Sequence, residues 1–317
     1  MARYVALFFV SLSLSAGVAA ANVTGGSPQR VAGQRHGGWM APDANPKHAW
    51  MYVTSGRGNA IAIFDLQRIG TPQIGEITNV GPVPNGMALD SQGTLYVANW
   101  NGGQNGGNVE VFPAGATSPS LTLTEDLSIP LTVSVDGQAN VYVVNRGSAP
   151  SIVVFPPGQT TPSQVITSSL IQDPVQIVFD SAQNLYYTDN ITGISEIPAG
   201  SSQPVSLGLQ GLDDPSGLII DPVNGNFFVS ETSNHKVLVY ASGAVQPSYA
   251  LKSSIGACSL GVGTLKGKEY IYVPDCGAGD VAVFKHDARR PLGVLNLPAP
   301  GNPPGASCIV FKPEGVP

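Results

Sequence analysis

The chain has 317 residues, of which 42% are hydrophobic and only 11% are charged. These values exclude a chain that is disordered because of its charge, and a net charge of −6 without any lysine or arginine run excludes the basic surface that nucleic acid requires. Glycine (38 residues) and proline (27 residues) are frequent but follow no Gly-X-Y period, which predicts many turns and an all-β protein of short strands.

The N-terminus has the pattern of a secretory signal peptide. Arg3 precedes an apolar run from Val5 to about Ala20, and small residues stand before Asn22. The run is short for a bilayer span, which argues against the alternative of a membrane anchor. We therefore expect residues 1–21 to be cleaved, residues 22–36 to form a flexible leader, and the mature protein to be secreted or periplasmic with no membrane span.

A strand-like segment with a polar end recurs through the rest of the chain. Its copies are WMYVTS, LYVAN, VYVVN, LYYTD, FFVSE and IYVPD, which end at Ser55, Asn99, Asn145, Asp189, Glu231 and Asp275. The successive spacings are 44, 46, 44, 42 and 44 residues. A period of this length with strand-like content is typical of the four-stranded blade of a β-propeller.

Each unit also has the same internal order. An aromatic residue stands three positions before each polar end, and a second apolar strand follows, for example VEVF or IVVF. Upstream, a further strand runs from a proline to an aspartate six residues later in four of the units. These strands are apolar almost throughout, which is typical of sheets buried on both faces. Six units predict a six-bladed β-propeller over residues 37–317.

The ends of the chain suggest how the ring closes. The segment ASCIVFKPEG at 306–315 looks like the first strand of a blade, but it has no partner downstream. We expect it to pair with the N-terminal WMYVTS segment, because a closed ring removes free sheet edges. The alternative is that WMAPDA at 39–44 supplies this first strand.

The repeat resembles that of a known family. PNGMALDSQGTLYVAN and PLTVSVDGQANVYVVN are similar to NHL-type repeats in six-bladed propellers of the TolB-like group. The resemblance covers residues 37–317 and implies the fold. It implies little about function, because propellers carry unrelated activities. We expect a monomer.

The three cysteines lie late in the chain. Cys258 is near the start of a first strand, and Cys276 is just past the end of the second strand of the same blade. The two positions are symmetric about Gly267, which lies in the turn between these strands. Paired residues of an antiparallel hairpin face each other, so we expect a Cys258–Cys276 disulfide in an exported protein, with Cys308 left as a buried thiol. The alternative is a Cys258–Cys308 bridge between neighbouring inner strands.

The polar strand ends should meet on one face of the ring, called the top face here. Asn99, Asn145, Asp189, Glu231 and Asp275, with Ser55, would form a polar rim. One interpretation is a ligand or cation site. The favoured interpretation is a set of struts that hydrogen-bond the backbone of the next turn, because such a position recurs in nearly every blade.

Residues that break the repeat are better ligand candidates. The loop NWNGGQNGGN is longer than its equivalents and carries Trp100 and Asn101. Trp100 could stack on a sugar or another apolar face, or it could pack on the edge of its own blade. Arg146, Asn190 and His235 are expected at matching positions on the same face, where a small molecule, a glycan or a protein would bind.

Enzymatic functions find less support in the residues. The resemblance to six-bladed gluconolactonases implies acidic and Asn ligands for a divalent cation at the channel, but the expected channel openings are nearly free of carboxylates. Of the four histidines, only His235 is expected on the top face. We therefore expect no catalytic residue, no metal and no cofactor, and an exported non-catalytic binding scaffold. The alternative is a metal-dependent hydrolase or lyase of the gluconolactonase or streptogramin-lyase type.

Overall fold

A computed structural model describes most of the chain after its N-terminal segment. The described residues are 38–55, 59–68, 70–78, 80–81, 83–101, 106–251, 257–275, 279–297 and 306–313. The predicted signal peptide (1–21) and leader (22–36) lie outside them, and these two assignments stay predictions. No helix within the described ranges is long and apolar enough to cross a bilayer.

The described residues form antiparallel β-sheets throughout. In chain order the strands are β1 (Trp39–Met40), β2 (Trp50–Ser55), β3 (Ala60–Asp65), β4 (Gln73–Ile77), β5 (Pro84–Leu89), β6 (Leu95–Asn99), β7 (Asn108–Phe112), β8 (Leu121–Leu123), β9 (Pro130–Val135), β10 (Val141–Asn145), β11 (Ser151–Phe155), β12 (Gln164–Ile166), β13 (Pro174–Phe179), β14 (Leu185–Asp189), β15 (Gly193–Ile197), β16 (Val205–Ser206), β17 (Pro215–Ile220), β18 (Phe227–Glu231), β19 (Lys236–Tyr240), β20 (Tyr249–Ala250), β21 (Gly261–Leu265), β22 (Lys268–Pro274), β23 (Asp280–Phe284), β24 (Gly293–Asn296) and β25 (Ala306–Lys312).

These strands make six blades in a ring, which confirms the predicted six-bladed β-propeller. Blades two to six each contain four consecutive strands, from β5–β8 to β21–β24, with the first strand innermost. Blade one has the order β1-β4-β3-β2-β25.

Blade one closes the ring with both ends of the chain. The C-terminal strand β25 pairs with β2, with Trp50 opposite Lys312 and Thr54 opposite Cys308, so the predicted C-terminal closure is confirmed. The alternative closing segment has another role. Its first part forms β1, which pairs with β4 at the outer edge of the same blade.

The core consists of layers between neighbouring blades. Six clusters of buried side chains fill these layers, one at each blade interface. Strands β3, β6, β11 and β14 are buried along their whole length, because the second and third strands of a blade have neighbouring blades on both faces. This explains why their sequences do not alternate between apolar and polar residues.

The glycine of the P-x-G motif allows the inner strands to approach each other. A Cβ atom at Gly86 of β5 would lie 2.5 Å from the Cα of Thr132 in β9. A Cβ atom at Gly217 of β17 would lie 3.0 Å from the backbone of Ser259 in the next blade. Inner strands converge at the axis of the ring, and at these two positions only a residue without a side chain fits.

The aspartate that ends each Pro–Asp interval stabilises the turn between the first two strands. The Oδ1 atom of Asp90 accepts the N–H groups of Gln92 and Thr94, each at 2.9 Å, and Asp136 does the same for Gln138 and Asn140. Such carboxylate-capped turns lie on the face opposite the polar strand ends, called the lower face below.

The structure excludes one of the two predicted cysteine pairings. Cys308 is a free thiol and is buried, as expected, so the alternative Cys258–Cys308 bridge is wrong. Cys276 lies outside the described residues, and the Cys258–Cys276 disulfide stays a prediction. Ala257 and Asp275, the neighbours of these two cysteines, form an isolated antiparallel bridge.

Candidate functional site

Asn145 joins the end of β10 to the loop that enters its own blade. It is 4% exposed, and its Oδ1 accepts the backbone N–H groups of Ser128 at 2.8 Å and Ile129 at 3.1 Å. Its Nδ2 donates to the carbonyl of Asp126 at 3.0 Å. The contacts are therefore to the preceding entry loop, whereas the sequence led us to expect the following turn.

In blade four, Asp189 accepts hydrogen bonds from both the entry loop and the turn after β14. Its Oδ2 accepts the N–H groups of Gln172 and Asp173 in the entry loop, at 2.7 and 2.8 Å. Its Oδ1 accepts those of Ile191 and Thr192 in the turn after β14, at 2.9 and 3.0 Å. A carboxylate can bridge two loops in this way because it has two acceptor oxygens.

Glu231 has only one of its two oxygens satisfied. Its Oε2 accepts the N–H groups of Asp213 and Asp214 at 2.7 and 3.0 Å, while the buried Oε1 has no hydrogen-bond partner among the described residues. Burial raises the pKa of Glu231 above its usual 4.5, although the two N–H groups act in the opposite direction. The protonated form is thus favoured more in the folded protein than in the unfolded chain.

Blade two departs from this pattern. The Nδ2 of Asn99 donates to Asn108 Oδ1 at 2.7 Å and to Glu110 Oε2 at 3.3 Å, whereas the buried Oδ1 of Asn99 has no partner within the described chain. The entry-loop N–H of Val83 instead bonds Asn59 Oδ1 at 3.0 Å. Glu110 accepts the N–H of Gly81 and so takes over part of the bracing.

In blades one and six the described contacts of the polar strand ends are made by backbone atoms. Ser55 ends β2 opposite Ala60. The N–H of Asp275 donates to the carbonyl of Asp280 at 2.8 Å, and its own carbonyl accepts the N–H of Gly279 at 3.0 Å.

The residue after each polar strand end occupies an equivalent position in four blades. Its N–H donates to an entry-loop carbonyl, in the pairs Trp100–Val83, Arg146–Ile129, Asn190–Asp173 and Thr232–Asp214. The expected equivalence of His235 with Arg146 and Asn190 is therefore wrong, and Thr232 takes that place. His235 lies three residues later, exposed, with a left-handed backbone (φ 51°).

Arg146 and Asn190 converge on a single carboxylate. The Nε and Nη2 atoms of Arg146 donate to the two oxygens of Asp173, and Asn190 Nδ2 donates to Asp173 Oδ2 at 3.1 Å. The three side chains link blade three to the entry loop and the second strand of blade four. We call them the Asp173 cluster. Within the described residues no hydrogen bond or ion pair joins His235 to it.

The Asp173 cluster retains hydrogen-bonding capacity. Arg146 and Asp173 have side chains that are 36% and 24% exposed, so both reach solvent. The Oδ1 of Asn190 is buried and has no hydrogen-bond partner among the described residues. A guanidinium, a carboxylate and an amide in contact present donors and acceptors together, which suits a ligand rich in hydroxyl or amide groups.

Trp100 packs toward blades three and four and not on the edge of its own blade. Its side chain is half-buried and packs against the hydrophobic cluster of blades three and four, which includes Leu131 and Val144. Asn101 follows with a left-handed backbone (φ 52°), and residues 102–105 lie outside the described part. Trp100, the first residue of the long loop after β6, is thus directed toward blade three, which carries Arg146.

Asp173 is the residue that sequence reasoning missed. It precedes the proline of an entry loop, like Asp214, where aspartate is a common turn residue. The available signal was the low charge of the chain. Arg146 is one of few cations, and Asp173 is the acid of the next entry loop.

The axis of the ring holds a channel of about 270 Å³. It is lined by segments of all six inner strands, mostly apolar or small side chains with Thr132, Ser134 and Gln176 among them. The described residues contain no group of three or more His, Cys, Asp or Glu side chains arranged to hold a metal ion.

Comparisons with known proteins give a structural match without a sequence match. No family model and no curated protein matches the chain. Among solved structures, a chain from a nidogen/laminin complex has a TM-score of 0.67 at 16% identity, over 83% of this chain and 97% of that one. A Bacteroides caccae protein of unknown function has a TM-score of 0.59 at 14% identity, over 83% of this chain and 98% of that one.

A third similar structure is hydrazine synthase from Kuenenia stuttgartiensis, with a TM-score of 0.57 at 15% identity, over 78% of this chain and 82% of that one. The similarity shows the fold alone. Propellers carry unrelated functions, so none of the three proteins assigns an activity to this chain.

Proposed function

We propose that this protein is an exported, non-catalytic binding scaffold of the NHL-like, TolB-like kind that holds a glycan on its top face. The observation that carries the proposal is the Asp173 cluster, together with Trp100 at the position of the neighbouring blade that is equivalent to Arg146. Trp100, Arg146 and Asn190 stand at equivalent positions of successive blades, yet each has a different chemistry. In contrast, Asn145, Asp189 and Glu231 all accept N–H groups of their entry loops.

A glycan suits this surface better than the other ligand classes. Sugars present hydroxyl groups beside apolar ring faces, and an indole together with an Arg–Asp–Asn cluster offers a partner to each. The cluster is anchored by backbone hydrogen bonds of both Arg146 and Asn190, so the groups are held in place before a ligand arrives. Preorganisation of this kind favours binding because little side-chain freedom remains to be lost.

The test is a glycan array probed with the labelled mature protein, followed by calorimetric titration of the glycan that binds best. Trp100→Ala and Asn190→Ala should each weaken binding by about tenfold or more, since each removes a central contact. Trp39→Ala is the matched control, because Trp39 is 41% exposed at the outer edge of blade one. It should bind like the wild type.

Two results would contradict the proposal. The first is equal loss of binding in the Trp39 and Trp100 variants. The second is mass-spectrometric detection of cleaved or rearranged glycan after incubation with the protein, which would favour the metal-dependent hydrolase or lyase instead.

A further inference from the structure

A second concave site lies between blades four and five, toward the lower face. It is a cleft of about 510 Å³, which is within the range of small-molecule sites. Its apolar walls include Leu207, Leu209, Ile220 and Phe227, and its acidic side chains are Asp180, Glu196 and Asp221. The described residues that line it include no lysine, arginine or histidine.

Glu196 breaks the repeat at this cleft. In every blade an aromatic residue of the second strand faces a residue of the third strand, and in blade four the pair is Tyr186 and Glu196. The other five blades have an aliphatic residue there: Ile63, Val111, Val154, Val239 and Val283. A carboxylate thus replaces an apolar side chain on a surface that elsewhere packs against the next blade.

The three carboxylates of the cleft differ in what they already bind. Asp180 Oδ2 accepts Asn184 Nδ2 at 2.9 Å and the Tyr186 hydroxyl at 3.2 Å, and Asp221 Oδ2 lies 2.8 Å from His286 Nδ1. Among the described residues, none forms a hydrogen bond or ion pair with the Glu196 carboxylate. Glu196 is therefore the carboxylate of the cleft that is most available to a ligand.

Two aromatic rings stand beside Glu196. The rings of Tyr186 and Phe227 meet edge to face, with centroids 5.2 Å apart, and both line the cleft. Burial, together with the charges of Glu196 and Asp180, raises the pKa of Tyr186 to about 12. The cleft therefore combines aromatic walls with a negative potential, and organic cations favour both.

We propose that the cleft binds a small organic amine, with its ammonium group paired to Glu196 and its apolar body against Tyr186, Phe227 and Leu209. This site is separate from the top face and does not depend on the proposed glycan binding. The acidic net charge of the protein, −6, adds a long-range attraction for cations at low salt.

The test is calorimetric titration of the mature protein with three amines: 2-phenylethylamine, tryptamine and hexylamine. At least one should bind saturably with a Kd of about 1 mM or tighter, in keeping with ligands of roughly ten heavy atoms. The neutral 2-phenylethanol should bind about tenfold more weakly than 2-phenylethylamine, and the anionic 3-phenylpropanoate should not bind.

The variants locate the site. Glu196→Gln and Glu196→Val should each weaken amine binding about tenfold or more, and Glu196→Val restores the residue type of the other blades and should keep the fold. Glu125→Gln, at an exposed position of the top face, should bind like the wild type. The proposal is overturned if no amine binds up to about 10 mM, roughly tenfold above the expected Kd, if the neutral analogue binds equally well, or if both Glu196 variants bind unchanged.

Discussion

The guanidinium of Arg146 in blade three is paired through two nitrogen atoms with the carboxylate of Asp173, in the loop that enters blade four. This pair links two blades on the top face. Asn190, which follows β14 of blade four, donates a hydrogen bond to the same carboxylate. The pair is thus both a link between blades and the centre of the proposed binding surface.

The Arg146–Asp173 pair should contribute measurably to stability. A double-mutant cycle with Arg146→Ala and Asp173→Ala should give a coupling energy of about 1 kcal/mol, because the pair is bidentate and partly buried. The matched control is Arg68–Asp43, a single contact at 3.0 Å with side chains 41% and 67% exposed. Its coupling should be about 0.3 kcal/mol or less. Equal couplings in urea-induced unfolding would refute this ranking.

Asn145 should be a strong structural determinant of blade three. Asn145→Ala leaves two entry-loop N–H groups without their acceptor and should lower the free energy of unfolding by about 2–3 kcal/mol. Asn145→Asp keeps the acceptor oxygens and loses the Nδ2 donor to the Asp126 carbonyl and the Ser151 hydroxyl, so it should cost about 1 kcal/mol. The exposed Asn234→Ala is the control and should stay within about 0.5 kcal/mol of the wild type. An Asn145→Ala protein as stable as this control would show that the strut is dispensable.

Glu231 should make stability depend on pH in a defined direction. Its pKa is raised in the folded protein, so the folded state holds the proton more tightly than the unfolded chain. Its contribution is fully present below the unfolded pKa of about 4.5 and is lost as pH rises through the folded pKa. The free energy of unfolding of the wild type, relative to Glu231→Gln, should therefore increase as pH falls from 7 toward 4.5.

The exposed Glu125→Gln variant is the control for this titration, compared with the wild type over the same range. A wild-type advantage over Glu231→Gln that shrinks on acidification would mean that the sign assigned to Glu231 is wrong.

The cysteines should differ in reactivity. Cys308 is buried and its thiol pKa is raised by that burial, so iodoacetamide should modify it only after unfolding. Mapping of non-reduced peptides should find Cys258 linked to Cys276, a short loop worth about 2–3 kcal/mol in the chain-entropy model. A peptide joining Cys258 to Cys308, or rapid labelling of native Cys308, would contradict the assignment.

The fold could be predicted because the sequence patterns that specify it are local and recur in every blade. A 44-residue period, an aromatic residue at a constant offset and an unpaired C-terminal strand were sufficient for six blades and their closure. The position of WMAPDA was not predictable in the same way, since a two-residue edge strand such as β1 leaves almost no pattern.

Only part of the candidate site could be predicted from the sequence. Arg146 and Asn190 stood out as exceptions to the repeat, but their meeting point, Asp173, lies in a different blade from Arg146 and depends on how neighbouring blades pack. The packing of Trp100 toward blade three also depends on how neighbouring blades pack. Glu196 was visible in the segment ISEI as the one acidic residue among aliphatic equivalents, but its meaning depends on the cleft that the structure places beside it.

The most direct test of the top-face proposal is hydrogen–deuterium exchange of the mature protein with and without the array glycan that binds most tightly. We expect protection of the entry loops and turns around residues 126–130, 170–174 and 190–192, with no change in the lower-face turns at 181–184 and 222–225. Protection confined to the lower-face turns, or no glycan binding at all, would contradict a glycan-binding top face.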